Sequence, residues 1–249
     1  MTVFRNKKPL GPSSARNFGV KQAKGEIIVF IDAHCIVNDH NWIQKFLQFF
    51  NDPQVGAVGG YFAPRTRKSG PSLTFSSTPQ RRLIKSANAA YRKSVLEQVG
   101  GFASEMEWAG DADLTFKLHN SEWKVVHSRD IMVIHAEKIW SIKRAFSYGT
   151  CFFPLLRRYP SETIGKKFEL HSFYMGLFIT LGLILDIVFR LPIFTLSIVA
   201  ILSVLNSISH NFSIPWRLMD GVYTTIWAFV YYLGALYGGI RNLLLPKSD

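Results

Sequence analysis

Apolar residues along the chain follow three spacings, and each predicts a different kind of element. The run Ile27-Ile28-Val29-Phe30-Ile31 is continuous and rich in β-branched and aromatic residues, bounded by Gly25-Glu26 and by Asp32-Ala33-His34-Cys35. Such a run predicts a strand over Glu26–Ile31 that is buried on both faces, as in the centre of a parallel sheet. Asp32 then stands at the carboxyl end of that strand, with His34 just beyond it. Val55–Phe62 predicts a second strand, interrupted by Gly59-Gly60, where another backbone comes close. Trp123–His127 and Asp130–His135 predict two short strands. A helical spacing covers Asp39–Asn51, through Trp42, Ile43, Phe46, Leu47 and Phe50, with Asn38 or Asp39 as N-cap and Asn51-Asp52-Pro53 as its end. Ser13 or Ser14 would cap a helix over Ala15–Lys24 that stops at Gly25. Tyr91–Val99 reads as a short helix ended by Gly100-Gly101, and Leu114–Asn120 as a helix opened by Asp111-Ala112-Asp113. Pro64–Gln80 reads as a basic loop, and Phe102–Gly110 as an acidic one with Glu105 and Glu107.

The third pattern is a set of long apolar windows. Residues 172–189 carry one charge, Asp186, and residues 191–208 and 221–240 carry none. Each is close to the roughly 20 residues that a helix needs to cross a bilayer. Three in succession predict a membrane domain over 171–249. Ile139–Lys167 alternates aromatic and basic residues, which predicts a helix lying at the lipid surface, with an ordinary surface helix as the alternative.

Composition sharpens this division. The 249 residues are 48% hydrophobic and carry a net charge of +12. Residues 1–170 hold 25 of the 29 Lys and Arg against 14 of the 17 Asp and Glu. A basic part beside apolar windows predicts a multi-pass protein of the inner (cytoplasmic) cell membrane, with the basic part in the cytoplasm and lipids as partners. Met1–Lys24 is polar and basic, unlike a secretory signal. The positive excess suits an anionic ligand such as a nucleotide diphosphate or a lipid headgroup. No nucleic-acid recognition motif accompanies it, so nucleic acid is not an expected partner. Cys35 and Cys151 are far apart and read as reduced thiols. A lone Asp186 in the windows speaks against an ion-transport path.

Three groups of residues could carry chemistry. Asp32 and His34 are candidate metal ligands two residues apart. Carboxylate oxygens suit Mg2+ or Mn2+, and an imidazole shifts the preference toward Mn2+. The plainer reading of Asp32 is a cap on the following turn. His135, at the end of the last strand, is a further candidate ligand. One of Asp111 and Asp113 could be a general base, although acids at a helix start also complement its dipole.

These residues in this order resemble the membrane-bound family 2 glycosyltransferases with the nucleotide-diphospho-sugar (GT-A) fold. The likeness lies in Ala15-Arg16-Asn17-Phe18-Gly19 through Ala23-Lys24-Gly25-Glu26, Asp32-Ala33-His34, Asn88-Ala89-Ala90-Tyr91-Arg92, Gly100-Gly101-Phe102 and Gly110-Asp111-Ala112-Asp113-Leu114. With Tyr148-Gly149 and Arg157-Arg158-Tyr159-Pro160, it looks most like the succinoglycan-type exopolysaccharide enzymes. The resemblance implies an α/β fold, here a partial GT-A domain over 1–137, an interfacial segment over 138–170 and a membrane domain over 171–249 with spans at 172–189, 191–208 and 221–240. It implies an inverting, metal-dependent transfer of a sugar from a nucleotide-diphospho-sugar, of the UDP-sugar type, to a lipid-linked or glycan acceptor. Asp111 would be the catalytic base, and Asp113 would face the acceptor or cap the helix. Asp32 and His34 would hold Mn2+ or Mg2+ beside the donor diphosphate. Arg16 and Asn17 would lie near the nucleotide, and Asn88 and Ala89 near the donor sugar or acceptor.

The chain departs from the family pattern in four places. His34 replaces the second acid of the metal motif, and Gly110 stands where a Glu is frequent. The Gln-x-x-Arg-Trp motif is absent, which favours single-sugar transfer over polymerisation. The family's opening strand–helix–strand portion has no counterpart before Ile27. That leaves the expectation that a partner chain supplies this half, or that the chain is a non-catalytic membrane-anchored subunit or a fragment. It also predicts an unpaired edge on Ile27–Ile31.

Overall fold

The computed structural model describes residues 2–5, 11–64, 83–106, 108–135, 142–165, 167–189, 193–209 and 214–244. The expected loop over Pro64–Gln80, apart from Pro64, and Glu107 lie outside the described residues. The chain divides into two units, Met1–Ile139 and Trp140–Asp249.

The first unit is built on a mixed sheet. Its strands are β1 (Ile27–Ile31), β2 (Cys35–Ile36), β3 (Val55–Pro64), β4 (Asn88–Arg92) and β5 (Lys124–His135), in the order β1-β4-β3-β5-β2. β3 and β5 run parallel, and the other three pairs are antiparallel. Successive strand residues point to opposite faces, and each face has its own cover. Ile28, Ala57, Ala89 and Tyr91 pack with Val20 of α1 (Pro12–Gln22), Val95 and Leu96 of α3 (Lys93–Gln98), and Leu114 and Leu118 of α4 (Gly110–His119). Ile27, Val29, Val58, Ala90, Ile131 and Val133 pack with Trp42 and Phe46 of α2 (Trp42–Leu47) and with Phe50 of the 3-10 turn that continues it.

Several expectations are corrected here. The Ile27–Ile31 run is covered on both faces but is not central: among the described residues β1 pairs with β4 alone, and antiparallel. A continuous apolar run reports cover above and below, and says nothing of neighbours in the plane. Ser13 does not cap α1. Gly11, at φ +78°, precedes the helix, Pro12 occupies its first position, and the buried Ser13 hydroxyl donates to the Met106 carbonyl. Pro at that position loses no helical hydrogen bond. Asn88–Arg92 is a strand, and the helix starts only at Lys93. The two strands expected over Trp123–His135 are one, β5, whose pairing with β3 shifts register between Gly59 and Tyr61. Gly60 lies at that shift, where a Cβ would run into the Asn88 amide.

The second unit is helical: α5 (Ile142–Gly149), α6 (Phe152–Arg158), α7 (Pro160–Gly165), α8 (Lys167–Phe189), α9 (Ile193–Ser209) and α10 (Ile214–Leu244). Among the described residues no helix is long and apolar enough to cross a membrane. The expected spans and the membrane localisation are therefore corrected. Part of the apolar windows packs helix on helix, while side chains such as Ile187, Leu196 and Ile201 stay exposed. α10 packs against α5, α8 and α9, with Met175, Ile179, Ala228, Tyr231, Tyr232 and Ala235 buried. Of the aromatic residues in the 139–167 segment, Phe152 enters this core, stacking on Phe173 at 5.1 Å between ring centroids and meeting Tyr231 edge-on, while Phe146 and Tyr148 stay exposed. Gly149 and Gly234 let α5 and α10 touch, since a Cβ on either would strike a backbone carbonyl of the other helix. Asp186 also finds a local role. Its two oxygens accept the Phe194 and Thr195 amides at 2.8 and 3.0 Å, satisfying the open first turn of α9.

Candidate functional site

The site lies where the strands of the first unit end. β1 ends at Ile31 opposite Asn88, the start of β4, and β5 ends at His135 opposite both Pro64 and Cys35. The carboxyl ends of β1, β3 and β5 thus share one edge region with the start of β4. In α/β sheets the carboxyl ends of strands are where ligands settle. After β1 the chain reverses in a tight turn, with the Cys35 amide donating to the Asp32 carbonyl at 2.9 Å. That turn keeps Asp32 and His34 at the edge and returns Cys35 to pair with β5.

Two carboxylates meet there through one guanidinium. Arg16 of α1 donates to Asp32 at 3.0 Å and to Asp111, near the start of α4, at 3.3 Å. All three side chains keep partial solvent access, at 18%, 30% and 31%. The Arg16 guanidinium also lies over the Phe102 ring, 5.5 Å from its centroid. The Ser86 hydroxyl donates to Asp111 at 2.6 Å. Tyr91, fully buried in β4, hydrogen-bonds Ser86 in turn, and burial, reinforced by the Asp111 charge, holds its phenol well above its usual range. Asp111 is thereby oriented by a chain of two hydroxyls, one from β4 and one from the turn before it.

Asp113 is placed quite differently. It is buried, and its carboxylate takes Lys117 of the next turn at 2.8 Å. Lys117 also donates to the Gly101 carbonyl at 3.0 Å. Asp113 thus ties α4 to the Gly100-Gly101 turn, where both glycines hold φ near +70° (76° and 64°). Asn17 grips the same turn: its amide donates to the Phe102 carbonyl at 2.8 Å and accepts the Phe102 amide at 2.9 Å.

Asn88 is fully buried and crosslinks the sheet. Its carbonyl accepts the Trp42 indole at 3.0 Å, and its amide donates to the carbonyls of Tyr61 and Ile131 at 2.9 and 3.2 Å. Ala89 is fully buried in β4 within the core. Neither side chain joins Arg16, Asp32 and Asp111.

A second group adjoins Asp32. The Nε2 atoms of His34 and His135 lie 2.9 Å apart, and Asp32 Oδ2 is 3.9 Å from His34 Nε2. His34, Cys35 and His135 bring one ligand atom each to within 4.8 Å of one another. Sequence reasoning singled out His34 and His135 but missed Ser86, Tyr91 and Cys35. The signal for Cys35 is its adjacency to His34 on a strand that is only two residues long. Ser86 and Tyr91 carry no local signal, because their roles come from the β4 fold around Asp111.

Residues 1–103 match the family described as Glycosyl transferase family 2. Among curated proteins, the chain is 25% identical over 188 residues to the pre-mycofactocin glycosyltransferase of Mycobacterium tuberculosis, covering 65% of this chain and 38% of that protein. It is 24% identical over 151 residues to glycosyltransferase AglE of Haloferax volcanii, covering 56% and 49%. It is 25% identical over 156 residues to the O-antigen chain rhamnosyltransferase RfbN of Salmonella typhimurium, covering 55% and 50%. The chain thus spans half or less of the length of these relatives. Among solved structures, the fold is similar to the mannosyltransferase PcManGT from Pyrobaculum calidifontis in complex with GDP-Man and Mn2+, with a TM-score of 0.58 and 19% identity over 98% of this chain and 69% of that one. Asp111, β5 and His135 fall beyond the matched 103 residues, while β1 to β4 and Asp32 fall within them. Residues 1–103 are thus similar to glycosyltransferase family 2 domains.

Proposed function

We propose that the protein transfers a sugar from a nucleotide-diphospho-sugar to an acceptor hydroxyl, with inversion at the anomeric carbon. The observation that carries this reading is the meeting of Asp32 and Asp111 on Arg16 at the strand ends. An acid that manages the donor diphosphate and an acid that takes the acceptor proton need to face one space, and these two do. Asp111 is the better base of the two helix-start acids, being half-open and oriented by Ser86, whereas Asp113 is buried on Lys117. Proton removal makes the acceptor oxygen a stronger nucleophile as it attacks the anomeric carbon in line.

A divalent cation fits beside Asp32. Two ligands on one ion, with bonds of about 2.1 Å, sit roughly 3 Å apart when adjacent and about 4 Å apart when opposite. The separations of 2.9 Å between the His34 and His135 nitrogens and 3.9 Å between Asp32 and His34 lie in that range. Asp32, His34 and His135 would hold Mn2+ or Mg2+, which when bound neutralises the leaving nucleoside diphosphate. The Mn2+ and GDP-Man complex of the similar mannosyltransferase structure is in keeping with this. Arg16 supplies positive charge to the same space and donates to both acids. Asn17 acts on the nucleotide side indirectly, by fixing the Phe102 turn on which Arg16 rests.

The test is release of nucleoside diphosphate from a panel of nucleotide sugars, with and without Mn2+, by the wild type and Asp111→Asn. Metal-dependent release with an inverted product, lost in Asp111→Asn, supports the reading. Full turnover by Asp111→Asn, or a retained anomeric configuration, overturns it.

A further inference from the structure

The family reading uses Asp32, His34 and His135 and leaves Cys35 without a task. The fold nevertheless delivers its thiol to the two imidazoles. β2 pairs with β5 so that Cys35 stands directly opposite His135. Residues opposite each other on antiparallel strands project to the same face, with Cβ atoms about 5 Å apart. His34, in the turn just before, folds its ring edge-on against His135 at 4.5 Å between centroids. The Phe62 ring backs His135 at 5.5 Å, fixing its plane. The three ligand atoms gather within 4.8 Å while each side chain remains partly solvent-accessible.

We propose that His34, Cys35 and His135 form a soft-metal site that takes Zn2+, overlapping the hard-metal site through the shared imidazoles. Two imidazoles and a thiolate are a zinc donor set. Zinc accepts three protein ligands with a fourth position left open, and Asp32 stands near enough to His34 to fill it or to hold a water there. Soft thiolate favours Zn2+ over Mn2+ and Mg2+, and so does the general affinity order for nitrogen ligands. On coordination the thiol proton passes to solvent. Because both ions need the His34 and His135 nitrogens, one excludes the other. Zn2+ is then an inhibitor of any activity that depends on the hard ion, and Cys35 sets that sensitivity.

The proposal stands on the cluster and not on sugar transfer, and it is tested without a nucleotide sugar. Co2+ is titrated as a spectroscopic stand-in into the full chain, into Cys35→Ser and into Cys151→Ser. The expected result is a thiolate-to-cobalt charge-transfer band in wild type and Cys151→Ser, its absence in Cys35→Ser, and discharge of the band by Zn2+. Loss of a thiolate ligand should weaken Zn2+ binding by more than the roughly 10- to 100-fold that outer-shell changes cost. Should Cys35→Ser fail to fold, the wild type alone decides: Zn2+ slows alkylation of Cys35 and Mn2+ does not. Co2+ binding with no thiolate band, or alkylation of Cys35 at the same rate with and without Zn2+, overturns the proposal. Since neither arm reads turnover, such a failure leaves the proposed sugar transfer standing.

Discussion

The two units use apolar sequence for opposite ends. In Met1–Ile139 the apolar runs are short, and each stops at a polar group that the fold then employs: Ile31 at Asp32, Ile134 at His135. In Trp140–Asp249 the runs are long, and polar groups inside them serve the helices themselves, as Asp186 does at the start of α9. The first unit places its chemistry where strands end and backbone pairing gives out. The second packs aromatic side chains and glycines so closely that α5 and α10 leave no space between their backbones. A polar residue interrupting an apolar run therefore has different surroundings in the two units: a half-open cluster of side chains in one, a helix start in the other.

The largest effect that would separate these roles is catalytic. Asp111→Asn keeps the shape of the side chain and its contact with Ser86, and should lower turnover by about 10²- to 10⁴-fold with unchanged thermal stability. A fall in melting temperature comparable to that of a core variant would place Asp111 among the structural acids instead.

Asn88→Ala should show the reverse profile. It strips partners from the Trp42 indole and from two buried carbonyls, each orphaned group costing about 1–3 kcal/mol, so a destabilisation of roughly 2–4 kcal/mol is expected in denaturant unfolding. Little change in stability together with a large loss of donor affinity would move Asn88 into the binding site.

In the helical unit, Gly234→Val should destabilise by about 1–3 kcal/mol, because a Cβ there meets the Phe146 carbonyl. An unchanged melting profile would mean that α5 and α10 can part without cost. The smallest change in rate is expected for Asp113→Asn. Its loss of the Lys117 pair should lower stability and leave turnover close to wild type. A crippled Asp113→Asn enzyme with a functional Asp111→Asn one would exchange the roles assigned to the two acids.

How much of this was legible in the sequence follows from what each pattern encodes. The strand Ile27–Ile31, the break at Asp52-Pro53, the Gly100-Gly101 turn and the helix behind Asp111 are local, and local patterning located them within a few residues. Sheet order is not local. The apolar run of β1 matched a central parallel strand because both faces are covered, yet among the described residues it pairs with β4 alone, and antiparallel. β4 was hidden because Asn88-Ala89-Ala90 carries little strand propensity, and is a strand because both neighbours pair with it. The membrane reading failed for a related reason. Hydropathy over 172–240 reports apolar content alone, and which side chains pack on other helices, as Met175 and Ala235 do, while Ile187 and Leu196 stay exposed, is a tertiary fact. Within the site, the strand-end acid and the two histidines were visible, whereas Arg16 joining both acids required α1 and α4 to be set in place.

Asp32 is the residue on which the proposed sugar transfer turns most directly, because that proposal gives one side chain both the donor and the metal. Calorimetric titration of a nucleotide-diphospho-sugar into wild type and Asp32→Ala, each with and without Mn2+, isolates that claim from turnover. The predicted result is donor binding in the wild type that strengthens with Mn2+, and no Mn2+ dependence in Asp32→Ala with its melting temperature kept. Equal donor affinity in the two proteins with Mn2+ present would contradict it.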